Sequence, residues 1–211
     1  MKGILSLLKM KTRGDKPRDE HTDSVLFSTA FASQGVDDSM LVPWEARAVE
    51  VGAKRLPASR GGKLLQSLWA KDKYMAHLDK DAVERMERFF EFAAIAPSRD
   101  VIRQDEYGNF MVVLLTGTIA VDRVQPWGEH LRLAETRPGD ILGEMSLLDS
   151  GIRFSACTTL TDCEIAVLSA EAMDDMMSKD PQLAASLIAL LARKLSLRLR
   201  VVSARLSEHR Q

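Results

Sequence analysis

Glu144 and Arg153 stand nine residues apart in the run Gly-Asp-Ile-Leu-Gly-Glu-Met-Ser-Leu-Leu-Asp-Ser-Gly-Ile-Arg-Phe-Ser at 139–155. A carboxylate accepts hydrogen bonds from hydroxyls. A guanidinium presents a planar fork of donors to anionic oxygens. Held at opposite ends of a short segment able to turn tightly, the two suit a ligand that is part sugar and part phosphate. If no ligand is held, the same two side chains would form an ordinary internal ion pair.

The flanking pattern must supply the scaffold for that pair. From Val101 to Leu168 short extended runs alternate with turns. Phe110 to Leu115 reads as a buried strand broken at Gly117. Ile119 to Val124 alternates, with Ala120, Asp122 and Val124 on one face. Pro126-Trp127-Gly128 and Pro138-Gly139 are turns, and between them Leu131 and Leu133 alternate with Arg132 and Ala134. Phe154 to Thr159 and Glu164 to Leu168 add two strands. Many short strands at regular spacing indicate a barrel or a jelly-roll-like sandwich.

Helices bracket the strands. Leu64, Leu65, Leu68 and Trp69 share a helical face. A second helix is expected from about Lys80 to Ala93, capped by Asp79, with Val83, Met86, Phe89, Phe90 and Ala93 as its stripe. After Leu168 comes a short helix from Ala170 to Ser178, capped by Ser169. Asp180-Pro181 then places a cap before a proline at the first helical position. The helix that starts there is expected to run to about Leu206. Ile188, Leu191, Leu195, Leu199, Val202 and Leu206 form a sustained apolar stripe, for burial against the strands or a second copy of the chain.

Composition narrows the classes. The 211 residues carry a formal net charge of −1, which gives no general argument for nucleic-acid binding. Cys157 and Cys163, the two cysteines, suggest neither a disulfide framework nor a zinc site, so a reducing, cytoplasmic compartment is expected. Met1 to Met10 is apolar but short and lacks a small-residue cleavage site, so it reads as a frayed tail; the alternative is a short amphipathic helix on a partner or membrane surface. No stretch has the length of a membrane span. Residues 11–40 show no lasting periodicity and read as largely disordered, with a second flexible patch at 57–62. His21, His77, His130 and His209 are scattered, Asp174 and Asp175 read as a solvated helix face, and Met173, Met176 and Met177 as packing. No nucleophile–base–acid set is recognisable, so an enzyme is not expected.

The order of helices, a roll of short strands, a Gly-Glu…Arg loop, a strand pair and a long terminal helix resembles the cyclic nucleotide-binding domain of catabolite activator proteins and protein kinase A regulatory subunits. The resemblance covers roughly residues 79–206. Its strongest element is the phosphate-binding cassette, here Gly143-Glu144-Met145-Ser146 through Arg153-Phe154-Ser155-Ala156. The resemblance implies that Glu144 accepts a ribose 2′-hydroxyl, that Arg153 pairs with the cyclic phosphate, and that backbone amides from Glu144 onward add donors. Gly143, Met145, Ser146, Phe154 and Ser155 complete the implied ligand-binding set, with cAMP as the favoured ligand and no metal. The pattern departs at Phe154, where the family has a small or hydroxylated residue. A phenyl ring there would narrow the pocket, stack on a base, or turn outward into the core.

The expectation is therefore an α+β fold: a cyclic-nucleotide-binding β-roll, jelly-roll-like, with flanking helices and a long C-terminal helix. Its divisions are a largely disordered segment at 1–60, an N-terminal helix at 61–78, the roll at 79–180 and a lid or dimerisation helix at 181–211. The expected function is a non-enzymatic sensor that signals through that helix to a protein partner or in a homodimer. The rivals are a ligand-free interaction module and a DNA-binding regulator using the basic residues Arg193, Lys194, Arg198, Arg200, Arg205 and Arg210. The chain stops at Gln211 without room for a helix-turn-helix unit, so nucleic-acid binding is the weaker rival.

Overall fold

The computed structural model describes residues 26–75 and 78–208. The expectations for Met1–Met10, for the polar run up to residue 25, and for His21, His77, His209 and Arg210 lie outside the described residues. Helices α1 (Leu26–Ser33) and α2 (Trp44–Val51) and the two-residue strand β1 (Lys54–Arg55) come first. Helices α3 (Ala58–Trp69) and α4 (Lys80–Glu87) follow, then strands β2 (Glu91–Ile95), β3 (Asp100–Ile102), β4 (Phe110–Thr116), β5 (Ile119–Val124), β6 (His130–Glu135) and β7 (Ile141–Leu142). The chain then forms α5 (Glu144–Asp149), β8 (Ala156–Thr159), β9 (Cys163–Ser169), α6 (Ala170–Lys179) and α7 (Pro181–Glu208).

Two antiparallel sheets, ordered β1-β2-β9-β4-β7 and β3-β8-β5-β6, make the roll. Strand β4 explains how the layers stack. Successive side chains on a strand point to opposite faces. Phe110, Val112 and Leu114 join the core between the sheets, while Met111, Val113 and Leu115 join the core under the helices. Both faces are covered, so the strand is apolar at nearly every position. The helical layer places Met173, Met176, Leu183, Leu187, Leu190 and Leu191 on the outer face of the first sheet.

The caps read from sequence form as expected. Asp79 accepts from the Ala82 N–H at 2.6 Å and Ser169 from the Ala172 N–H at 3.2 Å. Asp180 accepts from the Leu183 N–H at 3.2 Å and from Arg85 Nε at 2.9 Å. The Arg85 contact holds its carboxyl below the usual carboxylate range.

Several boundaries differ from expectation. The helix expected to reach Ala93 stops at Glu87, because residues 91–95 pair along one edge with β1 and along the other with β9. Strand pairing overrides the helical spacing of Phe89, Phe90 and Ala93. The patch at 57–62 lies inside α3 apart from Pro57, which caps it. A Cβ at Gly61 would enter the Phe92 side chain and one at Gly62 the Glu87 carboxylate, so these glycines permit close packing rather than flexibility. The segment to residue 60, expected to lack order, carries α1, α2 and β1 within its described part. Asp174, read as solvated, is buried and accepts from the backbone N–H groups of Phe27 (2.8 Å) and Ser28 (3.0 Å), tying α1 to α6. Phe154 and Ser155 precede β8 rather than belonging to it.

Helix α7 leaves the body part-way along. Leu187, Leu190 and Leu191 are buried, whereas Leu197, Leu199, Val201 and Val202 are exposed, Leu199 at 67%. No helix among the described residues is long and apolar enough to cross a membrane.

Candidate functional site

The segment between β7 and β8 brings Glu144 and Arg153 into one buried layer, each 3% exposed. Gly143 makes the turn from β7 into α5 with φ +75°, a left-handed conformation that disfavours side chains. It also makes room. A Cβ at Gly143 would lie 2.6 Å from Arg153 Nη1, and one at Gly108 would lie 2.7 Å from Nη2. The guanidinium is thus cradled between two glycines.

Arg153 Nη1 donates to the Gly143 carbonyl at 2.8 Å and Nη2 to the Phe110 carbonyl at 2.6 Å. The Phe110 ring lies 4.8 Å from the guanidinium carbon. No carboxylate among the described residues forms an ion pair with Arg153. Burial is the main influence on it, pushing its pKa down to about 10, so it remains a cation at neutral pH. Cys157 is buried in the same neighbourhood, and burial pushes its thiol up to about 12; it is a packed, unreactive group.

Glu144 has a different partner. Arg198 of α7 pairs with its carboxylate and donates a second hydrogen bond, 2.8 Å, to the Ile141 carbonyl. Burial pushes the Glu144 carboxyl above its ordinary value, and Arg198 opposes part of that rise. The internal Glu144–Arg153 ion pair considered from the sequence is therefore not what forms. The acid faces the terminal helix, and the base faces backbone carbonyls.

The other residues of the implied set divide. On α5, Ser146 is buried and Met145 faces solvent. Phe154 is 52% exposed and joins neither core. Arg123 from β5 lies over its ring at 4.0 Å and donates to its carbonyl. Ser155 is half-buried. His130 is exposed on edge strand β6. A separate open hollow of about 530 Å³, lined by Trp44, Phe90 and Phe92, contains neither Glu144 nor Arg153.

Sequence spacing did not reveal the role of Arg198. Its neighbour Lys194 also turns to the roll, pairing with Asp72 at 3.2 Å and reaching the Gly139 carbonyl at 3.4 Å. Arg193 lies 5.3 Å from the centre of the Tyr74 ring. The signal available was the four-residue interval from Lys194 to Arg198, which puts both cations on one helical face.

Residues 94–180 match the family model of the cyclic nucleotide-binding domain. That segment, which holds most of the β-roll, is similar to that family. The chain is 28% identical over 95 residues to the CRP-like cAMP-activated global transcriptional regulator of Mycobacterium tuberculosis, covering 45% of this chain and 42% of the relative. It is 30% identical over 107 residues to the cyclic AMP receptor protein of Thermus thermophilus, covering 51% of this chain and 50% of that protein. The chain thus spans half or less of the length of these curated relatives.

Solved structures share the fold, a cyclic nucleotide-binding domain among them. The one from Methylobacillus flagellatus superposes with a TM-score of 0.67 at 22% identity, covering 72% of this chain and 86% of that one. The regulatory subunit of a cAMP-independent protein kinase A from Trypanosoma brucei gives 0.54 at 18%, covering 65% and 48%. Helix α2 and Arg198 both lie outside the matched segment at 94–180.

Proposed function

We propose that the chain is a non-enzymatic cyclic-nucleotide sensor whose ligand lies between Glu144 and Arg153 and whose terminal helix carries the response. One observation carries this reading. Arg153 is a buried cation held by carbonyls rather than by a carboxylate. Burying a charge without a counter-ion is costly, and such a site favours an anion that enters from solvent. The N–H groups of Arg153 not engaged by Gly143 and Phe110 are the donors for a cyclic phosphate. Glu144 accepts from the sugar through the carboxylate oxygen that Arg198 does not bind. The phosphate's charge then adds to the attraction on Arg198, which draws α7 down over the base. Occupancy changes the helix only through its differential affinity for the open and closed arrangements.

The curated relatives named as cAMP-responsive make cAMP the first nucleotide to test. The fold neighbour named as cAMP-independent makes cGMP and cyclic dinucleotides the next. The output is a changed surface on the exposed end of α7, offered to a protein partner or a second copy through Leu199 and Val202. Isothermal titration calorimetry should show saturable 1:1 binding per chain for at least one of these nucleotides. Absence of heat with all of them would favour a ligand-free interaction module. Binding of duplex DNA is the weaker reading, because Arg193, Lys194 and Arg198 are already engaged within the chain. A steep dependence of DNA binding on salt would be its signature.

A further inference from the structure

Arg47 is the largest fully buried side chain in the described structure, 1% exposed, and it lies on α2, well before the cyclic nucleotide-binding segment. It pairs with Glu50 on its own helix and with Glu106 on the loop before β4. Its Nε has no hydrogen-bond partner among the described residues. An arginine so buried is retained at a cost in desolvation unless it holds something in place.

What it holds is the strap across Arg153. The Glu106 carbonyl accepts from the Arg153 N–H at 2.8 Å, and the Arg153 carbonyl accepts from the Asp105 N–H at 2.9 Å. Tyr107 bridges to Ile152 on one side and to Leu41 on the other, and its carbonyl accepts from the Val42 N–H at 2.9 Å. Trp44, also on α2, packs edge-on against Phe110 with ring centres 5.6 Å apart, and Phe110 lies against the Arg153 guanidinium. Arg47 and Arg153 line one crevice, too narrow for water, together with Glu106, Gly108 and Phe110. Arg103 reinforces the clamp by pairing with Glu50 and, at 3.8 Å, with Glu106.

We infer that Arg47 is a positioning residue for the anion site: by clamping Glu106 it fixes the backbone on both sides of Arg153, so the binding unit begins near Leu41. Its ligand consequence rests on the sensor reading above, but its structural core does not. In Arg47→Met, the backbone amides of Arg153 and Asp105 should exchange hydrogen about tenfold faster than in the native chain, while Val113 and Ile165 in the central strands stay protected. Glu106→Gln, which keeps the shape and weakens the clamp, should give a smaller change at the same two amides. It decides the matter if Arg47→Met fails to fold. Unchanged exchange at Arg153 and Asp105 in the folded variants would overturn the inference, whether or not the native chain binds a nucleotide. In a chain that binds cAMP, Arg47→Met should weaken cAMP about tenfold while leaving adenosine, which has no phosphate, nearly unaffected. Equal losses for both would reduce Arg47 to general support and overturn it.

Discussion

Arg153→Met should weaken cyclic-nucleotide binding by about 100-fold, close to 3 kcal/mol, while leaving folding stability within about 1 kcal/mol of the native chain. Two terms set that combination. Losing the guanidinium removes the charged hydrogen bonds to the phosphate, each worth ~1.5–3 kcal/mol. For the unliganded fold the balance differs. Methionine relieves the desolvation of a buried cation that forms no ion pair among the described residues, and this offsets the two carbonyls, of Gly143 and Phe110, left without a donor. An arginine kept for the fold alone would behave the opposite way. Its loss would lower Tm by many degrees with no specific effect on ligand. Calorimetry for binding and thermal denaturation for stability, on one preparation, separate the two.

Arg198→Met should lower stability at neutral pH by about 1–2 kcal/mol, a fall in Tm of roughly 3–6 °C, and should weaken the nucleotide as well. The estimate is modest because the Arg198 side chain is about half exposed, so solvent screens much of the pairing. The pH dependence is the sharper signature. Burial raises the folded-state pKa of Glu144 above its ordinary value, so in the native chain its charge costs stability, and that cost fades as pH falls through the folded pKa toward the unfolded one. Without Arg198 the folded pKa rises further. The deficit of the variant is therefore full above that raised pKa and shrinks as pH falls through it, because a protonated Glu144 no longer needs the cation. A deficit independent of pH would assign the loss to the contact with the Ile141 carbonyl instead.

Local chemistry made part of this site legible in the sequence. The Glu144–Arg153 interval, the caps at Asp79, Ser169 and Asp180, and the apolar strand from Phe110 are all set by neighbours a few residues away, and the structure contains each of them. What the spacing could not express were contacts across the chain. Arg198 meets Glu144 from 54 residues away and Arg47 meets Glu106 from 59. On the sequence Arg198 is simply a basic residue on a helix, and Arg47 lies in a segment expected to lack order. Gly61 and Gly62 misled for a related reason: glycine serves flexible turns and tight packing alike, and only the positions of Phe92 and Glu87 distinguish them. Phe154 left three outcomes open. Its half-exposed ring beneath Arg123 depends on a cation contributed by another strand.

The claim beneath these expectations is that an anion beside Arg153 is felt by α7 through Glu144 and Arg198. Residue-resolved amide hydrogen exchange over residues 193–204, with and without saturating cAMP, tests it most directly. Slower exchange in that stretch, following the same isotherm as the calorimetric heat, is the expected result. Exchange that stays the same while the nucleotide demonstrably binds would contradict the account, because Glu144 and Arg198 would then transmit nothing to the helix.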